Sequence, residues 1–211
     1  FRKDLNIIDG KVTDVIKDGD NIKQIVLKTG QKLSADFYID ASGFDAVLYK
    51  HMGVKWIDKT DWLPVNSFIP NPVYTKHDVI PPYTTAEATK DGWILQVPLQ
   101  NRWGTGYIYS TDFTTDEEAF KRFSIWSKKN YNSKLNSDAK ILRFKSGYWQ
   151  ELWKGNCLVT GLASSFAEPL EATNIHTTIN SLQDFFKVFH FKSVKYSRDI
   201  FNANQRDIIE N

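Results

Sequence analysis

Two carboxylates three residues apart, Glu168 and Glu171, flank Pro169 in the stretch "EPLEATNIH", and Thr173, Asn174 and His176 follow. A carboxylate held beside a bound molecule can take up a proton or stabilise a developing cation. The residues after the second acid open a helical pattern. A helix start offers unpaired backbone N–H groups and partial positive charge to an anion or a polar edge. Pro169 keeps Glu168 in extended geometry, so the turn into the helix is shaped. In the plainer alternative, Glu171 is a helix-start acid that only complements the dipole. Upstream, "FYIDASG" is a short apolar strand ending at Asp40 and entering a turn at Gly43. "CLVTGLASSF" has a similar layout, with Gly161 and Leu162 at the bend. Strand, fixed turn and helix start together can hold a pyrophosphate or the edge of a flat ring against backbone N–H groups.

Elements of both kinds must position these groups. Alternating apolar residues in "KVTDVI" and "IKQIVL", separated by "KDGDN", predict strands in a hairpin, with Val12 on the first. "DAVLYKHMG" reads as a short helix closed by Gly53. Residues 56–89 read as extended, with prolines at 64, 70, 72, 81 and 82 demoting parts to loop or edge. "GWILQVP" and "WGTGYIYS" form a hairpin around "LQNR". "TDEEAFKRFSIWSKKN" is a helix with Thr115 or Asp116 as N-cap, its charges forming a solvated face. "AKILRFKSGYW" and "NCLVTG" read as strands, and "SGYWQELWKGN" as a surface loop anchored by Trp149 and Trp153. A helix from about 173 carries Ile175, Ile179, Leu182 and Phe186 on one stripe, and "SRDIFNANQRDIIEN" opens another.

Composition narrows the classes. The 211 residues carry a net charge of +2 with basic residues scattered, which argues against a nucleic-acid binder. The single cysteine, Cys157, lies in an apolar run and reads as a buried strand thiol; it permits no internal disulfide. His51, His77 and His190 are too dispersed to propose a metal site, and His176 reads as a surface histidine. No run is long enough to span a membrane, so a cytoplasmic protein without a membrane partner is expected. Seven Trp and nine Tyr fit either an aromatic-rich core or a pocket for a flat ligand.

Three segments in order resemble the flavin-dependent halogenases of the tryptophan halogenase family. "ADFYIDASGF" is similar to that family's strand and turn beside FAD. "DGWILQVPLQNRWGTGYIYS" is similar to its Trp-x-Trp-x-Ile-Pro segment followed by Gly-x-Gly-Tyr, and "GLASSFAEPLEATNIH" to its Gly-Leu-x-x-x-Phe-x-Glu-Pro-Leu-Glu-Ser-Thr stretch. The resemblance implies part of an FAD-binding flavoprotein monooxygenase fold, α+β or α/β, of the glutathione-reductase or hydroxylase type. Residues 1–55 would belong to the FAD-binding domain and 56–150 to a large antiparallel substrate-side sheet. Residues 151–211 would return to the FAD-binding domain and begin C-terminal helices.

The chemistry implied is oxidation of chloride or bromide to hypohalous acid by reduced FAD and oxygen, then halogenation of an aromatic, tryptophan- or indole-like substrate. A separate flavin reductase supplies the reduced flavin. By the resemblance, Glu171 stands at the substrate carbon, and Thr173 and Asn174 meet halide through their backbone. Asp40, Gly43, Gly161, Leu162, Ile175 and, on the adenine side, Val12 neighbour the flavin. Trp93 lines the tunnel between flavin and substrate, with Leu95 and Pro169 on the same route.

The chain departs from the pattern at three places. Leu95 stands where the second signature Trp is expected, which widens the tunnel, admits another substrate, or marks a segment that only packs. Ala172 replaces Ser, and Asn174 replaces Gly. No G-x-G-x-x-G occurs, so the pyrophosphate-binding unit and the catalytic lysine that follows it in the family are expected outside this chain, which reads as a central piece. On that basis the chain alone is expected to bind FAD poorly. A flavin monooxygenase or related reductase, and an inactive truncated remnant, are the alternative functions.

Overall fold

The structure, a computed structural model, describes residues 5–75, 79–135, 139–170, 173–189 and 193–210. In chain order its strands are β1 (Val12–Asp18), β2 (Asn21–Leu27), β3 (Lys32–Leu33), β4 (Tyr38–Asp40), β5 (Trp56–Asp58), β6 (Ser67–Tyr74) and β7 (Thr85–Ala88). They continue with β8 (Gly92–Leu99), β9 (Arg102–Tyr109), β10 (Leu142–Arg143), β11 (Gly147–Trp149), β12 (Trp153–Lys154), β13 (Cys157–Val159) and β14 (Ser165–Phe166). The helices are α1 (Asp116–Tyr131), α2 (Thr173–Val188) and α3 (Val194–Glu210). The chain divides into two compact units: 1–57 with 148–165 and 174–211, and 58–147 with 166–173.

In the first unit β1, β2 and β3 form an antiparallel sheet. A second small sheet has the order β12-β13-β4, in which β13 runs parallel to β4 and pairs Leu158 with Ile39 and Val159 with Asp40. Its core is aromatic. Trp153, 1% exposed, is ringed by Phe37, Phe185, Phe189 and Phe201 at centroid distances of 5.0–6.2 Å. Burying each such ring contributes about 1.5–3 kcal/mol. Asn202 of α3 fixes β12 beside it: its Oδ1 accepts from Leu152 N and Trp153 N, both at 3.0 Å, and its Nδ2 donates to Trp153 O at 2.9 Å. Trp153 is therefore a core residue and not the anchor of a surface loop, because its ring is the centre of that cage.

Two further expectations are corrected here. "DAVLYKHMG" forms no α-helix but two short 3-10 turns, Gly43–Asp45 and Tyr49–His51. The Asp40 carboxylate takes the N–H groups of Leu48 and Tyr49, at 2.8 and 2.7 Å, so they cannot enter a regular helical ladder. Of the predicted α2 stripe only Leu182 packs against the core; Ile175, Ile179 and Phe186 face outward, 65%, 51% and 57% exposed. The inward face is Ser181, Phe185 and Val188, selected by the aromatic cage around Phe185.

The second unit is built on a five-stranded antiparallel sheet, order β10-β6-β9-β8-β7. Pro70 and Pro72 lie in β6 and cannot donate to a ladder. Among the described residues β10 pairs only with Ser67 and Phe68, so the margin of β6 beside the prolines is an edge. The strand period of two sends Ile69, Ile94, Tyr107 and Tyr109 to one face, where α1 covers them with Ala119, Phe123 and Trp126. Thr115 caps α1, its side chain accepting from Glu118 N at 3.2 Å. The charged residues of α1 do more than meet solvent: Arg122 pairs with Asp91 and Asp116 with Arg143. The opposite face of the sheet carries Phe68, Trp93, Leu95 and Ile108, packed with Val65, Phe144 and Phe166.

Candidate functional site

In the first unit the parallel pair β4/β13 brings two carboxyl strand ends side by side, and Thr160 N donates to Asp40 O at 2.9 Å. The carboxyl ends of parallel strands are where such sheets place ligands. Each strand then enters a glycine-led 3-10 turn, Gly43–Asp45 or Gly161–Ala163, and the two turns lie against each other. Asp40, Gly43, Gly161 and Leu162, far apart in sequence, are thus brought together.

Asp40 is 2% exposed, and both its oxygens are engaged by its own loop. Oδ1 accepts from Ser42 N at 3.0 Å and Ser42 Oγ at 2.6 Å, while Oδ2 accepts from Leu48 N and Tyr49 N. Ser42 Oγ in turn accepts from Val47 N at 2.7 Å. Asp40 therefore shapes the loop. Ser42 was missed from sequence, although an Asp with a hydroxyl two residues on is a recurrent turn signal.

Gly43 and Gly161 have φ of +71° and +66°, and no heavy atom lies within 4 Å of where a Cβ would stand on either. The ground over both turns is open. Neither turn has a side chain capping its first N–H groups, and Leu162 is 40% exposed beside them. Backbone donors next to an apolar side chain, with no Cβ in the way, fit a flat ring with a polar edge.

Other expected residues stand elsewhere. Val12 opens β1 in the separate hairpin sheet, opposite Leu27. Ile175 is exposed on the first turn of α2. Asn174 is pinned: its Nδ2 donates to Ser165 O at 2.8 Å, and its carbonyl accepts from Thr177 and Thr178. Thr173 is the first residue of α2, where the helix start leaves N–H groups without helical partners. His176 is exposed and bonds Asn180. Cys157 is fully buried in β13, and burial, followed by the nearby Asp40 charge, pushes its thiol up to about 12. His77, His190, Glu171 and Ala172 lie outside the described residues.

In the second unit Trp93 and Leu95 share the sheet face that packs with Phe166, three residues before Pro169. Glu168 is half-buried, and its carboxylate accepts from Leu170 N at 2.6 Å, closing the turn around the proline. On the other face Asp91, 5% exposed, accepts from Tyr107 and Arg122, and Thr89 Oγ1 donates to Tyr107 Oη at 3.2 Å. Burial acts to raise the Asp91 carboxyl, but the bonds from Tyr107 and Arg122 outweigh it and hold it below the usual carboxylate range. Sequence reasoning missed this network, in which Asp91, Tyr107 and Arg122 lie 15 to 31 residues apart.

The parallel strand pair with its glycine turns and the large antiparallel sheet compose the α/β fold seen in solved flavin-dependent halogenases. The tryptophan halogenase family profile matches residues 2–211, and the chain belongs to that family. It is 34% identical to tryptophan 7-halogenase RebH of Lentzea aerocolonigenes over 192 residues, 89% of this chain and 36% of that protein. Xcc4156, a flavin-dependent halogenase from Xanthomonas campestris, superimposes with a TM-score of 0.84 at 29% identity, over 96% of this chain and 41% of that one. Tryptophan 6-halogenase SttH from Streptomyces toxytricini does so at 0.84 and 30% identity, over 95% and 40%. The chain thus spans well under half the length of these relatives.

Proposed function

We propose that this chain forms part of a flavin-dependent halogenase acting on an aromatic, indole-like substrate. The observation that carries the reading is the pair of open glycine turns in a chain that matches the family from end to end. When bound, reduced FAD with oxygen supplies the oxidising power that turns chloride or bromide into hypohalous acid; a flavin reductase partner renews it. Residues 1–55 and 151–211 contribute to the flavin domain and 56–150 to the substrate side.

Within the chain, Asp40 sets the loop that presents Gly43, and Gly161 and Leu162 present the matching turn. The N–H groups of Thr173 and Asn174 hold halide, with the Asn174 side chain kept in place by Ser165 O. Trp93 and Leu95 wall the passage to the substrate, with Pro169 on the same route. Glu171 stabilises the ring cation or accepts its proton. Glu168 is already committed to Leu170 N, which suits a turn-forming role.

The test compares Glu171→Gln with Glu168→Gln in the natural polypeptide carrying these residues, supplied with FAD, a flavin reductase and bromide. Glu171→Gln is expected to cut halogenated product by roughly ten- to a thousandfold with the fold and flavin binding intact. Glu168→Gln is expected to reduce it less. Equal losses that track melting temperature would remove Glu171 from the reacting groups. Hydroxylated product would move the reading to a monooxygenase.

A further inference from the structure

Leu95 leaves less side-chain volume than the tryptophan expected there, and the strand register shows what stands beside it. The register places Phe68, Ile108 and Trp93 in one row across β6, β9 and β8, and Pro70, Gly106 and Leu95 in the next. Both rows lie on the face away from α1. Side chains directly opposite on antiparallel strands stand about 4.5–5.5 Å apart at Cβ. Gly106, opposite Leu95, has none. A Cβ built there would fall 1.9 Å from Cε2 and 2.3 Å from Cζ of Phe68. The Phe68 ring therefore leans across the strand and occupies the place of the side chain that Leu95 would otherwise face. An indole at position 95 would reach for the same space.

We propose that Phe68 fills in this chain the part of the wall that the second signature tryptophan fills in the family. Phe68 and Leu95 together then set the width of the passage beside Trp93. The aromatic volume beside Leu95 then comes from β6 and not from the central strand β8, so Leu95 does not open the wall. This rests on the proposed role of the Trp93 segment, and it adds a residue that determines which substrates and oxidants pass.

Two measurements test it. The first is a melting-temperature cycle on the natural polypeptide carrying these residues: Leu95→Trp, Phe68→Ala and the double variant. Leu95→Trp overfills the row and Phe68→Ala empties it, each lowering the melting temperature by roughly 3–10 °C. The double variant is expected to recover most of the loss, since the new indole takes the vacated space. Losses that simply add would overturn the shared-space assignment. The second uses Phe68→Leu, a milder change, in the natural polypeptide with FAD, a flavin reductase, bromide, and indole or 2-phenylindole. The ratio of 2-phenylindole product to indole product is expected to rise about tenfold. An unchanged ratio would reduce Phe68 to a packing residue and overturn its role in selection. Absence of any halogenated product from the well-folded unsubstituted protein would sink the halogenase reading and the passage with it, while the melting cycle would still report on the shared space.

Discussion

Asp40 and Asp91 are both buried carboxylates, one in each unit, and they are satisfied in opposite ways. Asp40 is met by three backbone N–H groups and one hydroxyl from the nine residues that follow it. Asp91 is met by side chains alone: Tyr107 of β9, Arg122 of α1 and, at 3.4 Å, the hydroxyl of Thr89. The first arrangement shapes a loop, because every bond constrains the chain next to the acid. The second fastens a helix to a sheet, because its donors are side chains and two of them come from distant elements. A buried acid is thus a builder of local shape or a tertiary rivet, depending on the reach of its donors.

Substitutions break this comparison at its ends. The largest effect is expected from Asp40→Ala, which orphans the N–H groups of Leu48 and of the buried Tyr49 together with Ser42, at about 3–5 kcal/mol. Urea unfolding reads it, and Asp40→Asn should lose less, because its remaining oxygen still accepts. If Asp40→Ala cost under about 1 kcal/mol, the loop would not depend on the carboxylate.

Asp91→Asn comes next, at about 1–3 kcal/mol at neutral pH. Arg122 is 35% exposed and can turn to water, which limits the loss. The Asp91 carboxyl lies below its usual range in the fold. Its contribution is therefore complete above the unfolded value of about 3.9 and disappears as pH falls through the folded value. The gap between wild type and Asp91→Asn should narrow in unfolding curves taken on descending into that acid window. A gap that widened would reverse the sign assigned here.

The smallest effect is that of Gly43→Ala, about 1–2 kcal/mol from the positive φ alone, since the space around it is open. Thermal melts of Gly43→Ala and Gly43→Asn separate the causes: Asn tolerates the conformation better, so it should lose less despite its larger side chain.

Local signals were the legible part. The α1 cap at Thr115, the β8/β9 hairpin, the start of α2 near 173 and the Asp40–Gly43 turn all rest on residues within a few positions of one another. What escaped depends on distant partners. Phe185 and Trp153 became core because Phe37 and Phe201 reach them from other elements, and this turned the α2 stripe of Ile175, Ile179 and Phe186 outward. The helix expected at "DAVLYKHMG" failed because Asp40 claimed its amides. Asp91 carried no motif at all. At the site, Gly43, Gly161 and Leu162 were nameable from sequence, but the adjacency of the two turns follows from parallel pairing of strands more than a hundred residues apart. The Phe68 ring lying over Gly106, opposite Leu95, could be read only from the strand register.

The solitary thiol of Cys157 has a consequence of its own. It lies in β13 next to β4, shielded from solvent, and a thiol pushed up to about 12 holds almost no thiolate at neutral pH. A soluble alkylating reagent reaches it only when the sheet around it comes apart. Cys157 is the one cysteine of these 211 residues, so the rate at which it alone is alkylated clocks how often the seat of the paired turns is breached.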